Sequence, residues 1–417
     1  MRASFVIAAL VAAAVPCAQA ADFGGQVRPQ VLWQRANAAG PLAAANALQP
    51  DLAALPRDIG AVEAELRASV PHVNAVATLR TEHDLDGGAT RSSAWFDELY
   101  ASGDALGWQF AAGKRIVAWD VGYAYRPNDV VEQEVRRTLL SVTPQGRPML
   151  MAEHFDATTA WTFVLVNPTK DRDTPGADEP ALAARVYRRD GAVDWHGFAR
   201  WGAHTHASLG GAFAWVANES TEVHASARWL ARADTLALDP AADAAPLGLA
   251  SANPWQRATT GPTAQLLVGG TWTNEQQFSL LAEAWWDGSA PSDAQWDAWN
   301  ARNARLAALG AALPPGVPPL AVAGNLAWQA NAFGASTNLR RANLYLRASW
   351  THEKWEPALD MLYTPADAGR IVTASIGWQG DRVRIDGGAR VYGGPSGALL
   401  AQVPTRRIVY LAATWSF

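Results

Sequence analysis

The sequence has 417 residues, of which 34 are basic and 39 acidic, so its formal net charge is -5 at pH 7. This mild acidity argues against nucleic acid as a general partner. The single cysteine, Cys17, lies in a segment that we expect to be removed, so the mature chain cannot use disulfide bonds.

Residues 1–20 have the pattern of a secretory signal. Arg2 precedes an apolar run over 5–15, and a small-x-small cleavage site ends at Ala20. This pattern predicts cleavage after Ala20 and a mature protein, residues 21–417, that forms one domain. The apolar run is too short to cross a bilayer as a helix, and no uninterrupted apolar run of membrane-helix length follows it. If this exported chain lies in a membrane, its spanning elements must therefore be strands.

Alternation of apolar and polar residues dominates the mature chain. In RANLYLRASW, residues 341–350, the leucines and Trp350 fall on one parity, while the arginines fall on the other. Because successive side chains of a strand point to opposite faces, such a segment has one apolar and one polar face. We count eighteen segments of this kind: 24–35, 61–70, 72–84, 92–102, 105–120, 147–156, 159–168, 180–190, 192–203, 207–218, 221–234, 261–274, 277–288, 339–350, 354–364, 370–380, 382–393 and 406–417.

An alternating sequence is also compatible with a soluble β-sandwich whose sheets each have one solvent-exposed face. The segments are longer than the ~5 to 6 residues usual for soluble strands and fit the ~9 to 11 residues of strands that cross a membrane. Their polar faces carry arginines near strand centres, which suits a watery lumen better than a packed core. We therefore predict an all-β fold, a transmembrane antiparallel up-and-down β-barrel of about eighteen strands, with sixteen strands as the alternative.

The connections between the segments give an independent test of this topology. Outer-membrane barrels have short periplasmic turns and longer external loops. With both termini in the periplasm, every long connection falls on the outside. The predicted external loops are 36–60, 85–91, 121–146, 169–179, 204–206, 235–260, 289–338, 365–369 and 394–405.

The longest external loop, 289–338, contains a helical pattern. Ser292 fits an N-cap, and one helical face carries an apolar stripe made of Trp296, Trp299, Leu306, Leu309 and Leu313. We predict a short helix here, which acts as an external lid or packs on the barrel rim.

Tryptophans of the apolar faces concentrate near the strand ends. Amphipathic rings prefer the bilayer interface, so this placement predicts two aromatic girdles, with scattered core tryptophans as the alternative. The predicted periplasmic girdle contains Trp161, Trp215, Trp272, Trp350, Trp378 and Trp415, and the external girdle contains Trp119, Trp201 and Trp286.

The chain ends in YLAATWSF, with Phe417, Trp415, Leu411 and Val409 on one parity. With the signal, the alternation and the tryptophans, this ending resembles a Gram-negative outer-membrane β-barrel protein of the porin type, and it is loosely similar to alginate-export and substrate-specific porins. The resemblance implies that these four residues are the signal read by the barrel-assembly machinery. It also implies contact with outer-membrane lipid and lipopolysaccharide, and passage of a hydrophilic solute.

In porins the third external loop folds into the barrel and narrows the pore, and the resemblance gives this role to residues 121–146. Charges of both signs in a narrow passage discriminate solutes by charge and dipole, whereas in a solvated loop they would only balance one another. The charged residues expected near the constriction are Asp120, Arg126, Asp129, Glu132, Glu134, Arg136 and Arg137.

Parity also identifies charged strand residues that should face the lumen. The arginines are Arg185, Arg189, Arg200, Arg228, Arg232, Arg341, Arg347, Arg384 and Arg390. The carboxylates are Asp194, Glu283, Asp287, Glu356, Asp360 and Asp386. The excess of arginine indicates a mild preference for anions, unless cross-strand ion pairs neutralise it.

Enzymatic interpretations find little support. The sequence contains no motif of a zinc protease, a serine hydrolase or a nucleotide-binding loop. Glu283 and Asp287 lie four residues apart on one strand face, which is too far for two carboxylates that act on one bond. His204 and His206 lack a third metal ligand. We predict that the chain is not an enzyme and has no metal site and no cofactor.

Three functions remain open at this point. The first is a passive outer-membrane channel for small hydrophilic, anionic solutes, narrowed by residues 121–146. The second is an export conduit for an acidic polysaccharide, which predicts a continuous basic stripe from one mouth to the other. The third is a scaffold or enzyme whose lumen is plugged by residues 289–338.

Overall fold

The computed structural model describes residues 21–132, 139, 145–168, 179–334 and 337–417, so the predicted signal lies outside the described residues. Eighteen strands form one antiparallel sheet that closes on itself, because β1 pairs with both β2 and β20. The first nine strands of the wall are β1 (Asp22–Ala36), β2 (Ile59–Val70), β3 (Val73–Asp84), β4 (Thr90–Ala105), β5 (Trp108–Arg115), β6 (Arg147–Phe155), β7 (Thr159–Val166), β8 (Ala181–Asp190) and β9 (Val193–Gly202). The other nine are β10 (His206–Asn218), β11 (Thr221–Leu230), β14 (Thr263–Thr273), β15 (Phe278–Asp287), β16 (Ala342–Trp350), β17 (Trp355–Thr364), β18 (Gly369–Gln379), β19 (Val383–Gly393) and β20 (Thr405–Ser416).

The predicted number and order of the strands are confirmed, and the alternative of sixteen strands is wrong. Each strand pairs with the next one along the chain, except that β11 pairs with β14. The strands between them, β12 (Ala233–Leu238) and β13 (Trp255–Thr260), form a separate hairpin. At the seam, Gln26 lies opposite Ser416 and Trp33 lies opposite Val409. Closure leaves no edge of the wall unpaired.

Successive connections fall at alternate ends of the barrel. Tight turns such as 71–72 and 191–192 lie at one end, which we call the turn end. All the long connections, among them 37–58 and 288–341, lie at the other end, which we call the loop end. The sequence predicted this alternation because consecutive strands of an up-and-down barrel run in opposite directions, so their connections alternate between the two ends.

The outward faces of the strands carry large apolar side chains with no protein packed against them. In β16, Leu344 and Leu346 are 45% and 44% exposed, whereas Asn343, which points inward, is 3% exposed. The same exposure of outward apolar side chains recurs around the wall at Leu66, Leu79, Phe163, Leu182, Leu209, Val268, Leu359, Ile376 and Leu411. A continuous apolar band of this kind is typical of a barrel surrounded by lipid.

The prediction for Trp119 is wrong. The predicted segment 105–120 ends as a strand at Arg115, and Trp119 is only 5% exposed because its ring packs inside the barrel against Phe198, with 6.5 Å between ring centroids. The other predicted girdle residues with large outward exposure are Trp161, Trp201, Trp215, Trp272, Trp286, Trp350 and Trp415.

The predicted helix of the longest loop is α3 (Asp293–Ala311), which has 19 residues and ends just before Leu313, the last residue of the predicted stripe. The Ser292 hydroxyl accepts a hydrogen bond from the backbone N–H of Gln295, and the Gln295 side-chain oxygen accepts one from the backbone N–H of Ser292, which completes a capping box. Trp296 and Trp299 are buried, as the apolar stripe predicts.

Three further helices at the loop end were not predicted: α1 (Pro41–Leu48), α2 (Pro240–Ala244) and α4 (Pro319–Gln329). Leu306, Val322 and Leu326 form a small core with Ala45, which joins α1, α3 and α4. The buried Arg302 donates hydrogen bonds to Asp243, Gly248 O and Asn325 Oδ1 and so ties α3 to its neighbours. No helix in the described part of the chain is both long and apolar enough to cross a membrane.

Candidate pore

One side of the barrel interior is filled by an apolar core. Two neighbouring stretches, 149–151 of β6 and 163–166 of β7, are apolar on both faces: Met149, Met151, Val164 and Val166 point inward, and none is more than 5% exposed. They are covered by residues 116–132, which leave the wall after β5 and which we call the inner loop. The inner loop contributes Val117, Trp119, Val130 and Val131 to the core.

Burial of these apolar side chains fixes one flank of the inner loop. Val130 and Val131 are 1% and 0% exposed. Removing an apolar side chain of this size from water is worth about 1.5–3 kcal/mol. The inner loop is therefore packed against the wall as firmly as a core segment of a soluble protein.

Glu283 of β15 anchors the middle of the inner loop. The backbone N–H groups of Tyr123 and Ala124 donate to its two carboxylate oxygens, both over 2.6 Å. His224 Nε2 lies 2.9 Å from Glu283 Oε1, and its Nδ1 lies 3.2 Å from Glu222. Glu283 is only 3% exposed, so these donors compensate a carboxylate that water cannot reach.

Asp120 forms a second anchor. Ser226 Oγ donates to Asp120 Oδ1 over 2.8 Å, and the backbone N–H of Asn128 donates to Oδ2 over 2.5 Å. The side-chain amide of Asn128 donates to Ser226 Oγ and to Ala227 O, both over 2.9 Å. Asp120 thus joins both halves of the inner loop to β11 and does not line open space.

Arg200 and Arg228 hold the inner loop through its carbonyl groups. Arg200 Nη1 donates to Val130 O over 2.8 Å, and Arg228 Nη1 donates to Pro127 O over 3.0 Å. Arg200 also reaches Glu179 over 3.4 Å and is 3% exposed. Both arginines face the interior, as parity predicts, but the inner loop covers them.

The open part of the interior is a cavity of about 1270 Å³ on the opposite side of the barrel. Its walls come from β1, from β15–β20 and from the exposed side of the inner loop. The lining contains Tyr123, Arg126, Asp129, Glu132, Arg347, Arg384, Asp386 and Arg390. The passage is therefore displaced to one side of the barrel axis.

A row of polar side chains crosses four neighbouring strands of this cavity. Arg347, Asp360, Thr373 and Arg390 are successive partners on β16, β17, β18 and β19. Arg347 Nη1 donates to Asp360 Oδ1 over 3.0 Å, and the Tyr345 hydroxyl donates to the same oxygen. Arg390 Nε donates only to Thr373 Oγ1, over 2.9 Å, and forms no ion pair within the described ranges.

A second group of charges lies nearer the turn end. Arg384 donates to Asp386 over 2.9 Å and reaches Glu356 over 3.4 Å. The positive charge of Arg384 is therefore neutralised by these two carboxylates. Arg390 is the stronger attraction for a solute anion, because its charge is not matched in this way.

The remaining predicted site residues fall into three groups: some line the cavity, one lies away from it, and others are outside the described residues. Arg126, Asp129 and Glu132 line the cavity from the inner loop. Arg185 lies over the ring of Tyr187 on the inner face of β8, 5.5 Å from its centroid, away from this cavity. The predicted positions Glu134, Arg136 and Arg137 lie outside the described residues.

Burial raises the pKa of two inner-loop carboxyl groups. The pKa of Asp129 is raised to about 7, mainly because desolvation penalises its charge, and nearby Arg126 only partly offsets this effect. Desolvation likewise raises the pKa of Glu132 to about 8, against a hydrogen bond from the backbone N–H of Val117. The inner-loop side of the cavity therefore changes charge near neutral pH.

We expect anion selectivity to fall as the pH rises from 6 to 9. Both pKa values are raised, so Asp129 and Glu132 are mostly neutral at pH 6 and mostly ionised at pH 9. The carboxyl groups of Asp129 and Glu132 bind protons more tightly when the inner loop is packed than when it is released. Their ionisation, as the pH rises towards the raised pKa values, therefore weakens the packing of the inner loop. Reversal potentials in a KCl gradient at the two pH values measure the change. The double variant Asp129→Asn/Glu132→Gln should flatten the pH dependence, and an unchanged dependence would assign it to other groups.

Inward-facing acidic residues of β2 and β4 were missed by the sequence reasoning. Glu63, Glu65 and Asp97 are 3%, 1% and 0% exposed. Arg28 and Arg80 lie 3.7 and 3.2 Å from Glu63. The signal was available, because Val62 and Leu66 alternate with the two glutamates in β2. The equally unpredicted Arg28, Arg67 and Arg80 share these inward faces and pair with Glu63 and Glu65, so the three acids do not remove the arginine excess that the predicted lumen residues indicated.

The residues weighed for catalysis and metal binding have structural partners. Asp287 accepts hydrogen bonds from Gln265, Ser289 and Asn338, while Glu283 anchors the inner loop. In the described part of the chain, no group of three or more His, Cys, Asp or Glu side chains could hold a metal ion.

Comparison with known proteins identifies the fold only. No family model matches the chain, and no curated protein matches it. The solved structure of OccK5 (OpdH) from Pseudomonas aeruginosa is similar over 95% of this chain and 98% of that chain, with a TM-score of 0.53 and 9% sequence identity. A mutant of Rh. blastica porin aligns over 95% of this chain and 100% of that chain, with a TM-score of 0.42 and 10% identity. With its closed wall of eighteen antiparallel strands, the chain has the fold of a porin-type β-barrel.

Proposed function

We propose that this protein is an outer-membrane channel through which small hydrophilic solutes diffuse passively. The observation that carries the proposal is a closed barrel with an apolar outer band and a charged cavity of about 1270 Å³ inside it. Such a wall presents hydrocarbon-like side chains to lipid and encloses a polar path for solutes. The loop end faces outward from the cell, and the turn end faces the periplasm.

The first and last residues support this location. Residues 1–20 act as an export signal that is removed. At the other end, the backbones of Phe417 and Gly25 exchange two hydrogen bonds of 3.0 Å, so the terminal strand completes the wall. Trp415, Leu411 and Val409 are 50%, 49% and 39% exposed and form an apolar ridge with Phe417. This ridge is accessible to the barrel-assembly machinery and, after insertion, to lipid and lipopolysaccharide.

The inner loop acts as the constriction. Its anchors at Glu283 and Asp120 and its apolar core hold Arg126, Asp129 and Glu132 at the edge of the open cavity.

A mild preference for anions is part of the proposal. The described lining of the cavity contains seven arginines and six carboxylates, which is an excess of one positive charge. Near neutral pH the excess grows, because the raised pKa values of Asp129 and Glu132 keep part of that acid uncharged. Arg390 supplies a cation without a carboxylate partner in this set.

The other two functions have less support. A polysaccharide conduit needs an unbroken basic stripe, whereas the arginines of β16–β19 are interrupted by Glu356, Asp360 and Asp386. A plugged barrel needs residues 289–338 inside the lumen. From the described part of that segment only Thr337 and Asn338 line the cavity, and α3 and α4 pack with other loops.

Recordings from purified protein in planar bilayers test the proposal. We expect stable open-channel steps and a reversal potential biased towards anions in a salt gradient. Block by an acidic oligosaccharide but not by small anions would favour the export conduit. The absence of any current from correctly folded protein would contradict the channel and favour the scaffold.

A further inference from the structure

Three arginines cluster on the outer surface of the barrel near the loop end. Arg35 of β1, Arg370 of β18 and Arg407 of β20 are exposed and share the outward parity of their strands. Directly towards the turn end on the same face lie Trp33 and Val409, 44% and 39% exposed. The cluster therefore lies where the apolar band ends, at the level of lipid headgroups in the leaflet that faces outward from the cell.

In the pairing of β1 with β20, two of these arginines lie directly opposite each other. Arg35 is the direct cross-strand partner of Arg407. Like charges in directly opposite positions destabilise a sheet, so this pair has a cost that an anion bound between the two side chains would remove. Within the described ranges, Arg35, Arg370 and Arg407 have no carboxylate within ion-pair distance.

A glycine leaves room beside the cluster. Arg370 is the cross-strand partner of Gly393, which has no side chain to fill the outward position between β18 and β20. Arg406 Nη1 donates to Tyr392 O over 2.8 Å and lies 3.4 Å from the point where a Cβ of Gly393 would stand. Gly393 is buried, so the guanidinium of Arg406 occupies the place that a side chain would fill and adds a fourth positive charge beside the cluster.

The cluster is not a general feature of this end of the barrel. Corresponding outward positions on β9, β11 and β15 carry Trp201, Trp229 and Trp286, which are 60%, 44% and 44% exposed. Aromatic rings are the usual residues at a bilayer interface. On β18, β20 and β1 guanidinium groups take this place, and a guanidinium fork matches the oxygens of a phosphate in geometry and charge.

We propose that Arg35, Arg370 and Arg407, with Arg406 beside Gly393, form a binding site for the phosphorylated headgroup of a lipid in the outer leaflet. The acyl chains would lie on the apolar strip formed by Val391, Val409 and Trp33, while the phosphate neutralises the opposed arginines. The site rests on the proposed outer-membrane location but not on channel activity, and it lies outside the lumen.

Lipid binding to the full mature chain, purified in a neutral detergent, tests the site. The probes are lipid A with two phosphates and the same lipid with its phosphates removed, both measured by native mass spectrometry. The variant Arg35→Gln/Arg370→Gln/Arg407→Gln is compared with Arg57→Gln/Arg188→Gln/Arg305→Gln, which removes the same charge from exposed arginines outside the lumen. Conductance of both variants is recorded separately, so that loss of the site and loss of the channel are distinguished.

We expect the wild type to bind the phosphorylated lipid at least roughly tenfold more tightly than the dephosphorylated one, with inorganic phosphate at equal concentration failing to displace it. The cluster variant should lose this preference and the control variant should keep it. Equal binding of the two lipids by the wild type overturns the proposal, even if the cluster variant does not fold. Equal loss in both variants, or displacement by free phosphate, also overturns it.

Discussion

The double variant Val131→Asp/Glu283→Ala is expected to raise the single-channel conductance about twofold or more, because it releases the inner loop from the wall. Val131 is fully buried in the apolar core, and a carboxylate placed there loses its hydration without gaining a partner. Removal of the Glu283 carboxylate leaves the N–H groups of Tyr123 and Ala124 without their acceptor. The half of the lumen that the inner loop fills would then open to water.

The free energies involved favour release of the inner loop from the wall in this double variant. An unsatisfied buried donor costs about 1–3 kcal/mol, and the two N–H groups together cost about 2–6 kcal/mol. A carboxylate buried at position 131 adds several kcal/mol more. Each remaining charged hydrogen bond, such as those of Arg200 and Arg228, contributes about 1.5–3 kcal/mol. The wall itself is unaffected, since its ladder of backbone hydrogen bonds does not involve the inner loop.

The control for this variant is Leu320→Asp, which makes the same kind of change on an exposed residue of α4, 56% exposed. Its conductance should equal that of the wild type. Proteolysis within 116–132 reports release independently of current. If the double variant becomes cleavable there but conducts at the wild-type level, the inner loop does not limit the passage.

The barrel itself follows from local patterns in the sequence. A period of two identifies a strand and its outward face from the strand's own residues, as in Leu344 and Leu346 against Asn343. Closure follows from the last strand, because Val409 and Leu411 fix the parity with which it pairs to β1. Neither inference requires knowledge of distant contacts.

The position of the inner loop depends on contacts between residues far apart in sequence. Asn128 and Ser226 meet across 98 residues, and Tyr123 and Glu283 meet across 160. No local pattern reports such pairs, so the parity that points Arg200 and Arg228 inward gave no sign of the loop that covers them and separates them from the open cavity. The continuous apolar run of β7 was a usable signal: a strand apolar on both faces has protein against its inner face as well.

The loop end was predicted only where a helix has its own start signal. The capping box at Ser292 and Gln295 identifies α3 without any tertiary contact. Helix α1 has no side-chain cap and depends on its packing against α3 and α4, so its sequence alone does not distinguish it from a loop.

Charge reversal at Arg390 is expected to change the sign of the channel's ion preference. A unit charge about 6 Å from a passing ion in water contributes about 0.7 kcal/mol, so Arg390→Glu alters the energy of an anion there by about 1.4 kcal/mol. That difference corresponds to roughly a tenfold change in relative anion permeability. Arg390 is suited to this effect because, among the described residues, it has a hydroxyl and no carboxylate as its partner.

Reversal potentials in a KCl gradient measure the change, with Arg390→Lys and Arg188→Glu as matched controls. Lysine keeps the charge and should keep the anion preference, whereas the exposed Arg188 on the outer face of β8 has the same net change away from the cavity and should have no effect. The effect should shrink in 1 M salt, where the screening length falls to about 3 Å, and a change that persists there undiminished would indicate a structural cause. Identical reversal potentials for Arg390→Glu and the wild type at low salt would show that ions do not pass the row of Arg347, Asp360 and Arg390, and the path through the barrel would have to lie elsewhere.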